Sequence, residues 1–442
     1  MAFTERAASP KGDHPASGNR HGVLGSGNRG RSDSVSCVHV HDGRPVRGKA
    51  PPRPQDLSGA IMAARDKRSF CRICSGFCGV VLTVEDERIT NIRADREHPG
   101  SQGYACVKGL QMAERHHGDA RLLHPLKRRS DGTFQQIPLD QALDEIAGKL
   151  RDIVDRNGGD AGGLFRGSAS YFQSATYQMH YAWLGAIGSS SIFSDLTIDQ
   201  SAKVIAAERL GVWDAGVQGF DDADVVMVVG GNPLLSISVF NFPMFNPTKA
   251  VKEAKRRNMK FIVIDPRRTE TAVQADVFLQ PPPGQDAAIL AAMLRLILSN
   301  GWHDRAFCER YVSQIDELIA AVQPFTLEYV EQRTGVPGGD ILQATHLFAV
   351  ESKRGVATTG TGPSMAPHSN VAEHLVGCLN ILCGRYLREG ERVPSPGILA
   401  SARSFRAQVH PPARSWEASP KSRVGGFGRV GGEKLSALLA DE

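Results

Sequence analysis

The chain predicts an α/β fold around a parallel sheet, with a small β-rich unit in front of it. Three observations lead there. Strand and helix patterns alternate over residues 160–300. The run Asp224-Val-Val-Met-Val-Val-Gly-Gly231 is apolar and bounded by turn residues, as expected of a strand buried on both faces. Ahead of that region, short β-rich runs surround a tight group of cysteines.

Bulk properties narrow the class. A length of 442 residues leaves room for a large core and about three domains. The chain is 41% hydrophobic and 22% charged, the composition of a soluble globular protein. No apolar run approaches the ~18 residues of a membrane span. The net charge is +5, yet nine of the 52 basic residues and five of the 47 acidic ones fall in residues 1–60. The remainder is nearly neutral, which argues against a nucleic-acid-binding surface. Eight cysteines are too few for a disulfide scaffold in a chain this long and point to a reducing compartment. The first residues lack a basic flank followed by an apolar stretch, and Arg128-Arg129 is internal, so a cytoplasmic location is expected.

Residues 1–61 read as a disordered tail, rich in Gly, Ser, Arg, His and Pro without a sustained period. The fragment Cys37-Val-His39-Val-His41 within it reads as stray, since a short ligand cluster needs a fold around it. Met62 offers a sensible start, which makes the preceding residues an upstream extension of the reading frame. Residues 62–125 contain two strands, Val80–Val84 and Arg88–Ile92, joined by the acidic turn Glu85-Asp86-Glu87. Leu139 to Val154 is an amphipathic helix, apolar at 143, 146, 147, 150, 153 and 154.

The strand at 224–231 leads to a charged helix, Lys249 to Asn258, and then to the strand Phe261-Ile-Val-Ile264, completing a βαβ unit. Val277-Phe-Leu279 adds a strand and Ala287 to Ser299 an apolar helix. Gly355–Thr359 is a further strand and Val371 to Leu382 a further helix. Ligands of open α/β sheets bind at the carboxyl ends of the strands. The loops Gly230-Gly231-Asn232-Pro233, Asp265-Pro-Arg267-Arg-Thr269 and Pro283-Gly284-Gln-Asp286 are placed there, and the strand at 355–359 runs into Gly360-Thr-Gly362. Residues 401–442, rich in Ser, Arg, Pro and Gly, read as the start of an incomplete C-terminal region.

The most informative pattern is Cys71-Arg-Ile-Cys74-Ser-Gly-Phe-Cys78, followed after a gap of 27 residues by Cys106-Val-Lys108-Gly109. Three thiolates in a tight loop and one returning from a distance suit the corners of a [4Fe–4S] cluster. A zinc site favours paired C-x2-C knuckles instead.

Taken with the loops at the strand ends, these cysteines resemble the molybdopterin guanine dinucleotide oxidoreductases. That family includes formate dehydrogenases, nitrate reductases and dimethyl sulfoxide reductase. The resemblance covers roughly 65 to 440 and includes the linker-like stretch Arg121-Leu-Leu-His-Pro-Leu-Lys-Arg. It implies a β-rich [4Fe–4S] domain at 62–125 and a pterin-nucleotide-binding lobe at 126–159 and 345–400. It also implies an α/β molybdopterin-nucleotide-binding domain at 160–344. The cofactors implied are the cluster and molybdopterin guanine dinucleotide with molybdenum or tungsten. Cys71, Cys74, Cys78 and Cys106 then ligate iron, and Lys108 lies between cluster and pterin, where its positive charge favours electron arrival and bridges to the pterin ring.

For the nucleotide, Gly230, Gly231, Gly284 and Gly362 permit close backbone approach to phosphates. Asn232 belongs to the first nucleotide-binding loop. Asp265 and Asp286 offer carboxylates to guanine N–H groups or ribose hydroxyls, Arg267 reaches a phosphate oxygen, and Thr269 adds a hydroxyl; Asp265 has the alternative of capping the turn before Pro266. Formate dehydrogenases place Cys or selenocysteine on the metal. The corresponding stretch here, residues 192–201, has no cysteine, which argues against that activity. Asp195, Asp199 and Ser201 offer oxygen ligands, and a metal without a protein ligand is the remaining alternative. His180 and His368 are pocket candidates by position, with a structural role the commoner outcome, and Cys308, Cys378 and Cys383 read as small buried hydrophobes.

The function implied is two-electron redox chemistry on a small-molecule substrate, with electrons relayed through the cluster to an electron-transfer protein or redox subunit. Relatives run several hundred residues further. A truncated gene, an enzyme completed by a second chain that supplies the C-terminal domain, and a non-catalytic iron–sulfur subunit are the three explanations. A zinc-bound structural module is the rival outside the family.

Overall fold

A computed structural model describes residues 1–4, 64–236, 239, 241–393, 405–418, 429–430 and 433–434. The tail from residue 5 to 61, its Cys37-Val-His39-Val-His41 motif, Met62 and most of 401–442 lie outside the described residues. The chain divides into two compact units, Met1–Arg6 with Ala64–Glu442, and Ala7–Ala63. The first of these holds every element described.

The cysteine unit is a three-stranded antiparallel sheet of β1 (Arg65–Phe70), β2 (Gly79–Glu85) and β3 (Arg88–Ala94), in that order. Glu85 pairs with Arg88, so the hairpin turns on Asp86 and Glu87, both at positive φ (44° and 61°). That backbone is what a two-residue hairpin turn with matching twist demands. Val80 and Ile92 are buried on one face and Val81 on the other. The short helix α1 (Val107–Leu110) follows.

A small hairpin, Leu126–Arg128 with Phe134–Gln136, leads into the long helix α2 (Leu139–Asn157). Beyond it, β4 (Leu164–Arg166), α3 (Ser174–Ile187) and β5 (Ile192–Ser194) form a βαβ unit whose two strands pair in parallel. Helix α4 (Ser201–Leu210) comes next.

The central sheet begins with β6 (Val225–Val229). Helix α5 (Pro247–Arg256) starts where Asn246 Oδ1 accepts from the Lys249 N–H and Pro247 takes the first helical position. Then come β7 (Lys260–Ile264), β8 (Val277–Leu279), α6 (Asp286–Ser299), β9 (Gly355–Thr359) and α7 (Ser369–Leu382). Strand order is β8-β7-β6-β9, all parallel, with Val225 opposite both Lys260 and Gly355. The apolar run separates by parity. Val225, Met227 and Val229 pack in one cluster with α6 and α7; Val226 and Val228 pack in another with Val251 and Ala254 of α5. Both faces are covered, as a parallel sheet requires.

The first residues depart from the tail expected at 1–61. Ala2–Phe3 forms a strand antiparallel to Val312–Ser313, and Phe3 is 2% exposed, its ring 5.4 Å from that of Tyr386. Two residues carry no period, so the pattern of the surrounding sequence hid them. Phe3→Ala is expected to destabilise the fold by about 3 kcal/mol, as for other buried aromatics. Denaturant unfolding measures it; a change within about 0.5 kcal/mol is the surface value and contradicts the docked strand.

Candidate functional site

The cysteine loop closes on itself through Cys71 N–H, which donates to Cys78 O at 2.8 Å. Phe77 takes positive φ (44°) inside that loop, and its ring meets Phe70 at 5.9 Å and Phe172 at 5.8 Å. Cys106 stands at the start of α1, which turns Gly109 toward Cys71; a Cβ on Gly109 would lie 3.2 Å from the Cys71 sulfur. The four thiols come within electrostatic range of one another. Burial first, and then the neighbouring Cys74, Cys71 and Cys106, push Cys78 up to about 11. Burial also raises Cys71, while the exposed Lys108 opposes that rise. Tyr104, raised by burial and then by Cys106, Cys78 and Cys74, closes the group, and nothing in the sequence marked it.

Among the described residues no three His, Cys, Asp or Glu side chains are grouped as around a single ion. A cube takes one thiolate at each of four corners, so its ligands need not converge on one point. All four cysteines are free thiols. Raised thiols hold their protons until a metal displaces them, so loading the site releases protons.

The sign of the pH dependence follows. A thiol raised in the folded state stabilises the fold below its ordinary value and loses that contribution as pH rises through the folded value. The iron-free chain is therefore expected to lose stability between about pH 9 and 11, the ordinary and folded values for Cys78. The slope of melting temperature against pH there should be shallower in Cys78→Ala; equal slopes would contradict the assignment.

The loop after β6 brings this unit to the central sheet. Ser75 Oγ lies 3.6 Å from Met244 Sδ, and a Cβ on Gly100 would sit 3.3 Å from the Phe245 ring. The sheet order reverses between β6 and β9, which makes their carboxyl ends a crevice for ligands. There Gly230–Gly231 crosses Gly360–Gly362. Gly362 N–H donates to Gly230 O at 3.1 Å, and a Cβ on Gly360 would be 2.4 Å from Gly230 O. These glycines are explained by chain meeting chain. Gly230 and Gly284 also take positive φ, +56° and +82°, where glycine is favoured.

The polar candidates have local duties. Asn232 Oδ1 accepts from Thr271 Oγ1 at 2.7 Å and its Nδ2 donates to Glu270 Oε2 at 2.7 Å, tying two of the loops together. Thr269 Oγ1 accepts from Ala272 N–H at 3.1 Å. Asp265 Oδ1 accepts from Arg267 N–H at 2.9 Å, the capping role that its position before Pro266 suggested. Arg267 is exposed at the lip. Burial raises Asp265, and burial with the charges of Asp265 and Glu373 raises Asp286.

No pattern in the residues marked Glu373. It is 6% exposed on α7 and pairs with Lys203 of α4 at 2.8 Å. Thr359 Oγ1 and Ser364 Oγ both donate to Glu373 at 2.9 Å, and Lys203 also donates to Gly360 O at 2.9 Å and to Thr359 Oγ1. One buried ion pair thereby fixes α4, α7 and the end of β9.

Beside it lies the end of β5. Asp195 begins the short helix Leu196–Asp199, and Ser201 begins α4. Burial and the Asp195 charge raise Asp199. Asp195 Oδ1 and Gln200 Oε1 are buried acceptors without a hydrogen-bond partner, while Gln200 Nε2 donates to Thr361 Oγ1 at 2.8 Å. An oxygen-donor set with unspent acceptors fits a cofactor held at this lip. His180 Nδ1 is likewise buried and unpartnered, whereas His368 sits at the N-terminus of α7 at positive φ (62°). Cys308 and Cys378 are buried, each pushed up to about 12 by burial.

Comparison with known proteins bears on this arrangement. The family model "Molybdopterin oxidoreductase" matches residues 121–423, and "Molybdopterin oxidoreductase Fe4S4 domain" matches 65–118. A nitrate reductase of Symbiobacterium thermophilum is 26% identical over 372 residues, covering 81% of this chain and 48% of its own length. The F420-dependent formate dehydrogenase 1 subunit alpha of Methanococcus maripaludis is 28% identical over 283 residues, 63% of this chain and 40% of its own. The solved structure of acetylene hydratase from Pelobacter acetylenicus superposes with a TM-score of 0.64 at 27% identity, over 75% of this chain and 45% of that one. The chain spans about half the length of these relatives or less. No described helix is long and apolar enough to cross a membrane. With a family match over most of its length and four cysteines drawn together ahead of it, the chain belongs to the molybdopterin oxidoreductase family and carries that family's Fe4S4 domain.

Proposed function

We propose that this chain is the cofactor-binding part of a molybdenum or tungsten pterin-dependent oxidoreductase acting on a small molecule in the cytoplasm. The observation that carries the reading is that Cys71, Cys74, Cys78 and Cys106 lie within electrostatic reach of one another in a unit that packs, through Ser75 and Gly100, on the loop after β6. When bound, the pterin-held metal supplies two-electron chemistry and the cluster one-electron transfer to a redox partner protein. The four cysteines hold iron as thiolates. Lys108 places a positive charge beside Cys71. Asp265 and Asp286 accept from N–H or hydroxyl donors of the nucleotide, and Gly284 keeps the backbone close to it, while Gly231 and Gly362 let the two loops cross beneath it. Arg267 neutralises phosphate from the lip, with Asn232 holding the two loops together and Thr269 fixing the turn into Ala272. Asp195 is favoured over Asp199 and Ser201 as an oxygen ligand, because its buried Oδ1 has no partner. Residues 62–125, 126–159 with 345–400, and 160–344 are the three functional regions.

A second reading is a non-catalytic iron–sulfur subunit, in which the four cysteines hold a cluster and no pterin is bound. Metal and pterin analysis of anaerobically purified full chain separates the two. Iron with molybdenum or tungsten and pterin is expected. Iron alone supports the subunit, and an iron-free, colourless protein contradicts both.

A further inference from the structure

Ala2–Phe3 lies against Val312–Ser313, although residues 5–63 separate it in sequence from the cysteine unit. It also lies outside the residues that the two family models match, 65–118 and 121–423. Chain proximity therefore does not seat this segment, and the match to the family does not include it. The complementarity of the seat is what holds it. Phe3 enters an aromatic box, its ring 6.0 Å from that of Trp213, 6.2 Å from Phe307 and 5.4 Å from Tyr386. The box is fixed by contacts of its own. Phe307 and Tyr386 stack at 5.9 Å, and Trp213 Nε1 donates to Leu387 O at 2.8 Å. Gly211 borders the entrance at φ +85°; a Cβ there would lie 3.2 Å from the Phe3 Cβ and crowd the entering chain.

The backbone of the segment is gripped as well. Ala2 pairs with Ser313 and Phe3 with Val312, Thr4 N–H donates to Tyr311 O at 2.8 Å, and Ser313 Oγ donates to Ala2 O at 3.1 Å. Main-chain pairing for affinity and a pocket for one side chain for selectivity is how strand addition recognises peptides. Rigid aromatic walls add attraction beyond the area they bury. The cavity that Phe3 lines, about 350 Å³, is also lined by Lys203 and Glu373, so the seat adjoins the ion pair at the crevice.

We propose that this groove is a peptide-binding site that takes an extended segment carrying an aromatic side chain, and that residues 1–4 are its occupant in cis. The inference goes beyond the proposed function. It uses none of the residues assigned to cluster or nucleotide, so cofactor content and peptide binding succeed or fail separately.

The test titrates the peptide amide Met-Ala-Phe-Thr, with a fluorinated phenylalanine in third place, into the full chain and follows it by fluorine NMR. Two variants vacate the groove by different means. Thr4→Pro removes the N–H that Tyr311 O accepts, and Phe3→Ala removes the ring. A site held by its own segment binds a competitor only in proportion to the fraction left open. Both variants are therefore expected to bind the peptide saturably and at least about tenfold more tightly than the parent. A peptide with alanine in third place should not bind, and saturating aromatic peptide should raise the melting temperature of Phe3→Ala toward that of the parent. Equal affinity in all three chains, or no saturable binding to variants whose circular dichroism matches the parent, overturns the proposal. Equally tight binding of the alanine peptide does the same. A dimer of the parent that Thr4→Pro dissociates would put the segment in the groove of a second copy and overturn its assignment in cis.

Discussion

Cys74→Ser, prepared without oxygen, is expected to lose its iron. The serine fits the space, since Cys74 is partly exposed and its sulfur is 3.5 Å from where a Cβ on Gly76 would stand. What changes is the donor. A serine hydroxyl ionises far less readily than a thiol, and iron in such clusters is held by thiolates. Even outer partners of metal ligands are worth about 10–100-fold in affinity. Removing a ligand itself should therefore cut bound iron and the charge-transfer absorption by at least about tenfold. Cys308→Ser is the control: that thiol is buried elsewhere, packed in the apolar core that includes Phe307, and should leave iron unchanged. Full iron content in Cys74→Ser would refute the ligand set. A loss in both variants would mean that general misfolding is being read.

Glu373→Ala should be the most destabilising single change at the crevice. It strands the Lys203 ammonium, whose side chain is 17% exposed, and removes the acceptor of Thr359 and Ser364 hydroxyls. Breaking a buried pair from one side costs about 3–5 kcal/mol, because an uncompensated charge remains. Replacing both partners with apolar residues of similar volume is often neutral or stabilising. Lys203→Met with Glu373→Leu should therefore recover most of the loss in urea unfolding. If the double variant is as unstable as Glu373→Ala, packing rather than charge holds this joint. Because Glu373 also faces Asp286 electrostatically, the double variant should bring Asp286 closer to its ordinary range.

The elements with strong periods were legible beforehand. The apolar run at 224–231 became β6, the strands at 261–264, 277–279 and 355–359 took their expected places, and the parallel order followed from the helices between them. Leu139–Val154 is helical as its spacing indicated, though the pattern could not say that its apolar stripe would lie open. Phe3 was missed because a two-residue strand has no pattern to detect; its place depends on Tyr386 and Phe307, hundreds of residues away.

The cysteine spacing and the order of the loops alone determined the family and its cluster, since ligand chemistry depends on residue type and local separation. Tertiary structure decided which polar groups remain available. It spent Asn232 on joining two loops and Thr269 on the turn into Ala272, set Glu373 against Lys203, and left Asp195 with a buried oxygen unused. A lysine inside a helix reads as a solvated face until another helix packs over it. The physical reason is that hydrogen-bond satisfaction and burial arise from contacts between distant segments, which no local pattern encodes.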